Sequence, residues 1–254
     1  MGRGMKNRIL AIAVASLFLL STPLVQAVSD DDLNLIEAAG RGDMKIFNMM
    51  RERGASPNAR DKTGNNALLM AAYGGKREMV RQLLAMGVDA DVKGGIGFTP
   101  LTAATLHGDI RIVRMLLQNG VNLEARDDSG NTPLLNAILL ERDEIFQMLL
   151  EAGANVDIGD SEDQTALMQA TQKGRPDYVN ALIARKASLG LRDKEQRTAL
   201  YWALFAGQDE IATTLIQAGA DFHFVTNGYA PLHWARATNC KTAAELLERK
   251  GAPE

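Results

Sequence analysis

The chain has 254 residues, 46% hydrophobic and 23% charged, with a net charge of −3; this composition excludes global disorder and a multi-span membrane protein. Nucleic acid is also excluded as a first reading, because phosphate binding needs concentrated Lys and Arg and no long basic run is present. Only 5% of residues are aromatic, so the apolar content comes mostly from Ala, Leu, Val, Ile and Met; Cys240 is the single cysteine, which excludes an intramolecular disulfide and a Cys-based zinc cage.

The first predicted element is an export signal over residues 1–27. Arg3, Lys6 and Arg8 form a positive start, Ile9 to Leu20 is an uncharged, mainly apolar run, and Val25-Gln26-Ala27 supplies a small-residue cleavage site. The run is shorter than the roughly 20 residues that span a bilayer, and no Cys follows the cleavage site to carry a lipid. Translation could also begin at Met5, which leaves a tighter positive start, Met5-Lys6-Asn7-Arg8. Loss of the segment lowers the net charge from −3 to −6.

Beyond it the chain repeats with a 33-residue period, clearest in Thr99-Pro100-Leu101, Thr132-Pro133-Leu134, Thr165-Ala166-Leu167 and Thr198-Ala199-Leu200. In this frame Leu recurs as Leu35, Leu68, Leu101, Leu134, Leu167, Leu200 and, one residue early, Leu232; Ala follows three positions later in all seven units, from Ala38 to Ala235. Seven units are expected, at about residues 28–60, 61–93, 94–126, 127–159, 160–192, 193–224 and 225–254.

Each unit predicts two helices. Thr is a good N-cap and Pro is tolerated just inside a helix start, so the first helix begins there. Its Leu and Ala share one face, with Ala small enough for close helix approach. Gly42, Gly75, Gly108, Gly174 and Gly207 close the first helices, and Gly54, Gly87, Gly120, Gly153, Gly219 and Gly251 the second ones, where a left-handed residue is favoured. Lys186 takes that place in the fifth unit, at a cost of about 1 kcal/mol if the conformation is kept. Glu141 replaces the first-helix Gly of the fourth unit, leaving open a longer helix or a different turn there. Segments such as Asp127-Asp128-Ser129-Gly130-Asn131 are rich in turn formers and link the pairs.

The sequences GNTPLLNA, FTPLTAATLHGD and APLHWA, with the LLxxG(A/V) endings, resemble the ankyrin repeat family over about residues 30–252. The resemblance implies an all-α solenoid of about seven helix-turn-helix units with β-hairpin-like loops projecting at one edge. The ends depart from the pattern as capping units do: the first begins Leu33-Asn34-Leu35 without Thr-Pro, and the last has Thr242, Glu245 and Glu248 on its second helix.

No catalytic constellation is legible. His107, His223 and His233 fall in different units without a metal-ligand spacing, and the resemblance gives His233 a structural hydrogen bond between loops. Gly94-Gly95-Ile96-Gly97 lacks the Gly-Lys-Ser/Thr that would cradle a phosphate and is expected to be a flexible loop tip. Arg41-Gly42-Asp43 spells an adhesion tripeptide, but Gly42 is the helix-ending residue. Asp30-Asp31-Asp32 and Asp127-Asp128 fall at helix starts and loops, where negative charge needs no catalytic role. Cys240 is read as a structural thiol or, alternatively, a reactive one.

In the family, partners meet the concave side made by loop tips and the exposed first-helix face. Carried over residue by residue, those positions are Lys62, Thr63, Asn65 and Tyr73, then Ile96, Phe98, Leu106 and His107. They continue as Asp128, Asn131, Leu139 and Leu140, then Glu162, Gln164, Gln172 and Lys173, then Lys194, Glu195, Arg197 and Phe205, and finally Tyr229. Tyr73, Ile96, Phe98, Leu106, Leu139, Leu140, Phe205 and Tyr229 are expected to form an apolar strip that binds a protein, with cations such as Lys62 and Arg197 at its rim. The alternatives are that Leu139, Leu140 and Phe205 pack inward and that the cations are ordinary solvated surface.

The expected function is therefore non-catalytic: a periplasmic, monomeric protein-binding module with no cofactor or metal, no nucleic acid and, once the signal is removed, no membrane. Its role would be scaffold or stabiliser of a periplasmic protein, as in stress protection; the alternative is an immunity or inhibitor protein against a toxin delivered to the periplasm. An enzyme would require a cryptic acid, base or metal site that the sequence does not display.

Overall fold

The computed structural model describes residues 28–226 and 228–253, so the expected export signal lies outside the described residues. Fourteen helices are present among them, in seven pairs. These are α1 (Asp30–Arg41) with α2 (Met44–Glu52), α3 (Ala67–Tyr73) with α4 (Arg77–Ala85), and α5 (Pro100–His107) with α6 (Ile110–Gln118). Then come α7 (Pro133–Leu139) with α8 (Asp143–Glu151), α9 (Ala166–Gln172) with α10 (Pro176–Ala184), α11 (Ala199–Phe205) with α12 (Asp209–Gln217), and α13 (Pro231–Ala237) with α14 (Lys241–Arg249). First helices stack on first helices from α1 to α13 and form an inner layer, while second helices lie outside it.

Local chemistry explains the starts. The hydroxyls of Thr99, Thr132, Thr165 and Thr198 each accept the amide of the residue three positions on, and Asn66 does the same for Leu69 at 2.9 Å. The first unit differs from the sequence expectation. Its helix starts at Asp30 rather than at Leu33, because Ser29 and Asp32 form a reciprocal capping box. The seven recurring Leu and seven recurring Ala are all at most 3% exposed, so the small-residue face is the core.

Positive φ recurs wherever a helix or loop reverses. Lys186 (φ 62°) and Glu141 (φ 52°) keep the left-handed turn without glycine, so α7 does not run on and the register through Leu139 and Leu140 is preserved. The connecting loops are narrow fingers, each closed by paired backbone bonds such as Asp127 N–H to Asn131 C=O at 3.0 Å and Gly130 N–H to Asp127 C=O at 2.8 Å. They are hairpin-like turns; Thr226 and Tyr229 form the isolated bridge of the last one.

A second ladder runs along the opposite loop edge. The side chains of Asn58, Asp91, Glu124 and Asp157 accept the backbone amides of Asp89, Asn122, Asn155 and Ser188, each at 2.8 Å and each in the next unit. The next rung is missing because Gly190 has no side chain. A Cβ there would meet nothing within 4 Å, and its backbone is not left-handed. Gly190→Asn is expected to raise stability by about 1 kcal/mol, through one hydrogen bond and a less flexible unfolded chain. An unchanged denaturation midpoint would show that the rungs contribute nothing.

The last helix, whose N-cap Cys240 supplies no side-chain bond, is capped from the preceding unit: Asp209 accepts the amides of Thr242 at 3.1 Å and Ala243 at 2.8 Å. Burial opposes ionisation of Asp209, but these amides outweigh it and hold its carboxyl below the usual range.

Candidate functional site

The fingers and the ends of the first helices make one face, and its apolar residues separate into two groups with a polar groove between. Tyr73, at the end of α3, is 60% exposed and Ile96, at the third finger tip, 57%. With Phe98, which is half-buried against the core, they line a groove of about 340 Å³ that is floored by Leu69 and Met70.

The groove is apolar because a polar device is absent there. In other fingers an aspartate accepts its own turn's amides and also a side chain nine residues on: Asn136 to Asp127 at 3.0 Å, Gln169 to Asp160 at 3.0 Å, Trp202 to Asp193 at 3.2 Å. In the third unit those two positions are Gly94 and Ala103, and in the second the later one is Met70. A Cβ on Gly94 would lie 2.2 Å from Asn65 Oδ1 and 2.6 Å from Leu69 Cδ2, so neighbouring side chains already occupy the space an aspartate would need. The glycine cluster therefore forms the finger tip as expected, and its glycines pack closely enough to make one wall of the groove.

Leu139 and Leu140 are 36% and 43% exposed and point away from the core, so the inward alternative does not hold for them. Leu139 borders a groove of about 400 Å³ whose other walls are polar, among them Asn131, Ser161, Gln164, Gln169 and Lys173. Gln169 leaves its Oε1 buried and unpartnered there. Leu106 is half-buried and lines neither groove, and Lys62 is an exposed residue of the second finger.

Phe205 is 49% exposed and Tyr229 47%, and both join an aromatic cluster. Trp234 links them edge-on, at 5.6 Å to Phe205 and 5.7 Å to Tyr229, while Tyr201 stacks on Phe205 at 5.7 Å. The expected continuous apolar strip is thus divided by the polar groove of the fourth and fifth units. Arg197 also departs from its expected rim role. Its side chain is 21% exposed, holds Asp193 at 2.8 Å and lies 4.2 Å over Trp202, so it pins its own finger. Sequence reasoning missed Leu69, Met70, Trp202 and Trp234; the departure at Met70 and Trp202 from the Asn/Gln position of other units was the available signal.

The three histidines of this face and its surroundings lie apart. His107 is exposed beside Gly75, His223 contacts Asp221 at 3.2 Å, and His233, expected to bond between loops, is exposed and stacks on Tyr229 at 4.1 Å. Cys240 is fully buried; burial pushes its thiol up, which decides between the two readings in favour of a structural thiol. Among the described residues no group of His, Cys, Asp and Glu could hold a metal, and no helix is long and apolar enough to cross a membrane.

A family model described as ankyrin repeats (3 copies) matches residues 35–127, 86–160, 111–193 and 167–253. Among solved structures, the chain is similar to the ankyrin repeat domain of Bcl-3, described as a unique member of the IkappaB protein family. That likeness has a TM-score of 0.74 at 24% identity and covers 85% of this chain and 97% of the other. No curated protein matches the chain.

Proposed function

The chain belongs to the ankyrin repeat family, and from that premise we propose that it is an exported periplasmic protein that holds a protein partner on its finger face and performs no catalysis. It is a protein-interaction module; the compartment and the role of scaffold or stabiliser of a periplasmic protein are our reading. The observation that carries it is the placement of Tyr73 and Ile96, 60% and 57% exposed over an apolar groove, where most of their apolar surface is left open to solvent. The face is built on stacked helices and closely packed fingers, so association would cost little ordering entropy.

Photo-crosslinking in the native compartment tests this. A benzoylphenylalanine placed at Ile96, Leu140 or Phe205 is expected to trap one and the same protein, while one placed at Arg81 or Glu151 on the outer helices traps none. Adducts confined to the outer helices would refute the assignment of the binding face. The mature chain is expected to begin near Val28 or Ser29, and N-terminal sequencing that finds residues 1–27 retained would refute export.

A further inference from the structure

The face is not uniform in charge, and the apolar groove lies where cations are left over. In the fifth and sixth units the finger charges are spent on one another: Lys194 meets Glu162 at 3.4 Å, and Arg197 meets Asp193 and Glu195. In the second unit Arg60 pairs with Asp89 at 2.8 Å. Lys62 and Lys93, by contrast, are exposed and have no acidic partner among the described residues. Lys62 adjoins Thr63 of the groove wall, and the Lys93 carbonyl lies 3.2 Å from where a Cβ on Gly64 would be, so the two lysines sit on adjoining, packed fingers. Asp61 accepts Thr63 and Asn65 inside its own finger at 2.6–3.1 Å and makes no ion pair with either lysine. Asp128 lies beyond Gly97 on the fourth finger, which places the positive end of the groove toward the second finger.

We propose that the groove between the second and third fingers takes one bulky apolar side chain of the partner, presented on an extended segment whose flanking residues are Asp or Glu. The inference rests on the protein-binding reading above and specifies its chemistry. A volume of about 340 Å³ is at the small end of ligand pockets, about 300–1,000 Å³, and suits a side chain more than a cofactor. The aspartate and amide of other fingers are replaced here by Gly94 and Ala103, so Thr63 and Asn65 are the polar side chains of a lining otherwise made of Leu69, Met70, Tyr73, Ile96 and Phe98. In a chain with a net charge of −3, two unpaired lysines beside that groove attract carboxylates and repel a basic segment.

The test uses a phage-displayed library of random dodecapeptides selected on the purified chain. Enriched peptides are expected to share a Leu, Phe or Trp with Asp or Glu beside it. Their affinity should fall about tenfold or more on Tyr73→Ser with Ile96→Ser, and by a similar factor on Lys62→Glu with Lys93→Glu, while Lys194→Glu leaves it unchanged. Circular dichroism confirms that each variant is folded. No enrichment, enrichment of basic or anchorless peptides, or indifference to both double variants would overturn the proposal. The crosslinking arms keep the two ideas apart. Adducts from Glu162 and Val225 but none from Thr63 or Ile96 sink the groove assignment and leave protein binding standing, whereas no adduct from any finger sinks the protein-binding reading itself.

Discussion

Phe146→Ala is expected to remove about 3–5 kcal/mol of stability, the range for emptying a fully buried aromatic site. Phe146 is 0% exposed on α8 and its ring stacks on Tyr178 of α10 at 4.1 Å, so one side chain joins the fourth unit to the fifth. The cavity could not close easily. Tyr178 is held at its tip, where its hydroxyl donates to Asp143, and over its ring, where Arg175 lies at 4.0 Å. Burial, together with that bond to Asp143, pushes the Tyr178 phenol up, and the same bond with Arg175 holds the Asp143 carboxyl down, so this polar cap persists at neutral pH.

In a stacked array, stability is close to a sum of unit and nearest-neighbour terms. Weakening one central interface should therefore also make urea unfolding less cooperative, with amides of the fourth and fifth units exchanging first. Tyr73→Ala, at a residue 60% exposed, should change stability by no more than about 0.5 kcal/mol. A loss below about 1 kcal/mol for Phe146→Ala would mean that the aromatic pair does not couple these units.

Gly97→Ala is expected to cost about 3 kcal/mol or more, several times the cost of Gly87→Ala, although the two glycines have nearly the same φ, 74° and 71°. At Gly87 a Cβ would meet nothing within 4 Å, so the substitution exposes the left-handed penalty alone, about 1 kcal/mol. At Gly97 the Cβ would sit 2.7 Å from the Asp128 backbone nitrogen and 2.6 Å from its Oδ1, so the third and fourth fingers must part. Backbone cannot swing aside as a side-chain tip can. Equal losses in paired denaturation curves would show that the fingers are not held by this contact. Because Ile96 and Phe98 flank Gly97, the variant should also weaken whatever the groove binds.

Much of this architecture was legible in the residues. Thr-Pro-Leu with Ala three positions later marks a capped helix with one buried face, and the structure buries every recurring Leu and Ala in the seven units. The replacements Lys186 and Glu141 were visible as departures, but whether the chain would tolerate them was not. The local turn bonds, Lys186 N–H to Ile183 C=O at 2.9 Å and Glu141 N–H to Ile138 C=O at 3.1 Å, hold the left-handed geometry without glycine. The site was legible in part. Tyr73, Ile96 and Phe98 were named from their place in the repeat and do share a groove, yet Arg197 was placed on the rim when its guanidinium is bound to its own finger.

The sequence by itself determined the number of units, the buried face of each first helix and most of the helix starts, because capping and hydrophobic period act within a few residues. The tertiary structure decided what the finger face can do. Whether a lysine is free or paired, whether a glycine is a hinge or a wall, and whether exposed apolar residues form one strip or two patches depend on contacts between residues about 30 positions apart. The pairs Lys194 with Glu162, Gly97 with Asp128 and Phe205 with Trp234 are of that kind, each reaching from one unit into the next. Such contacts form only when the units stack, and stacking is the one feature of a repeat that no single unit contains.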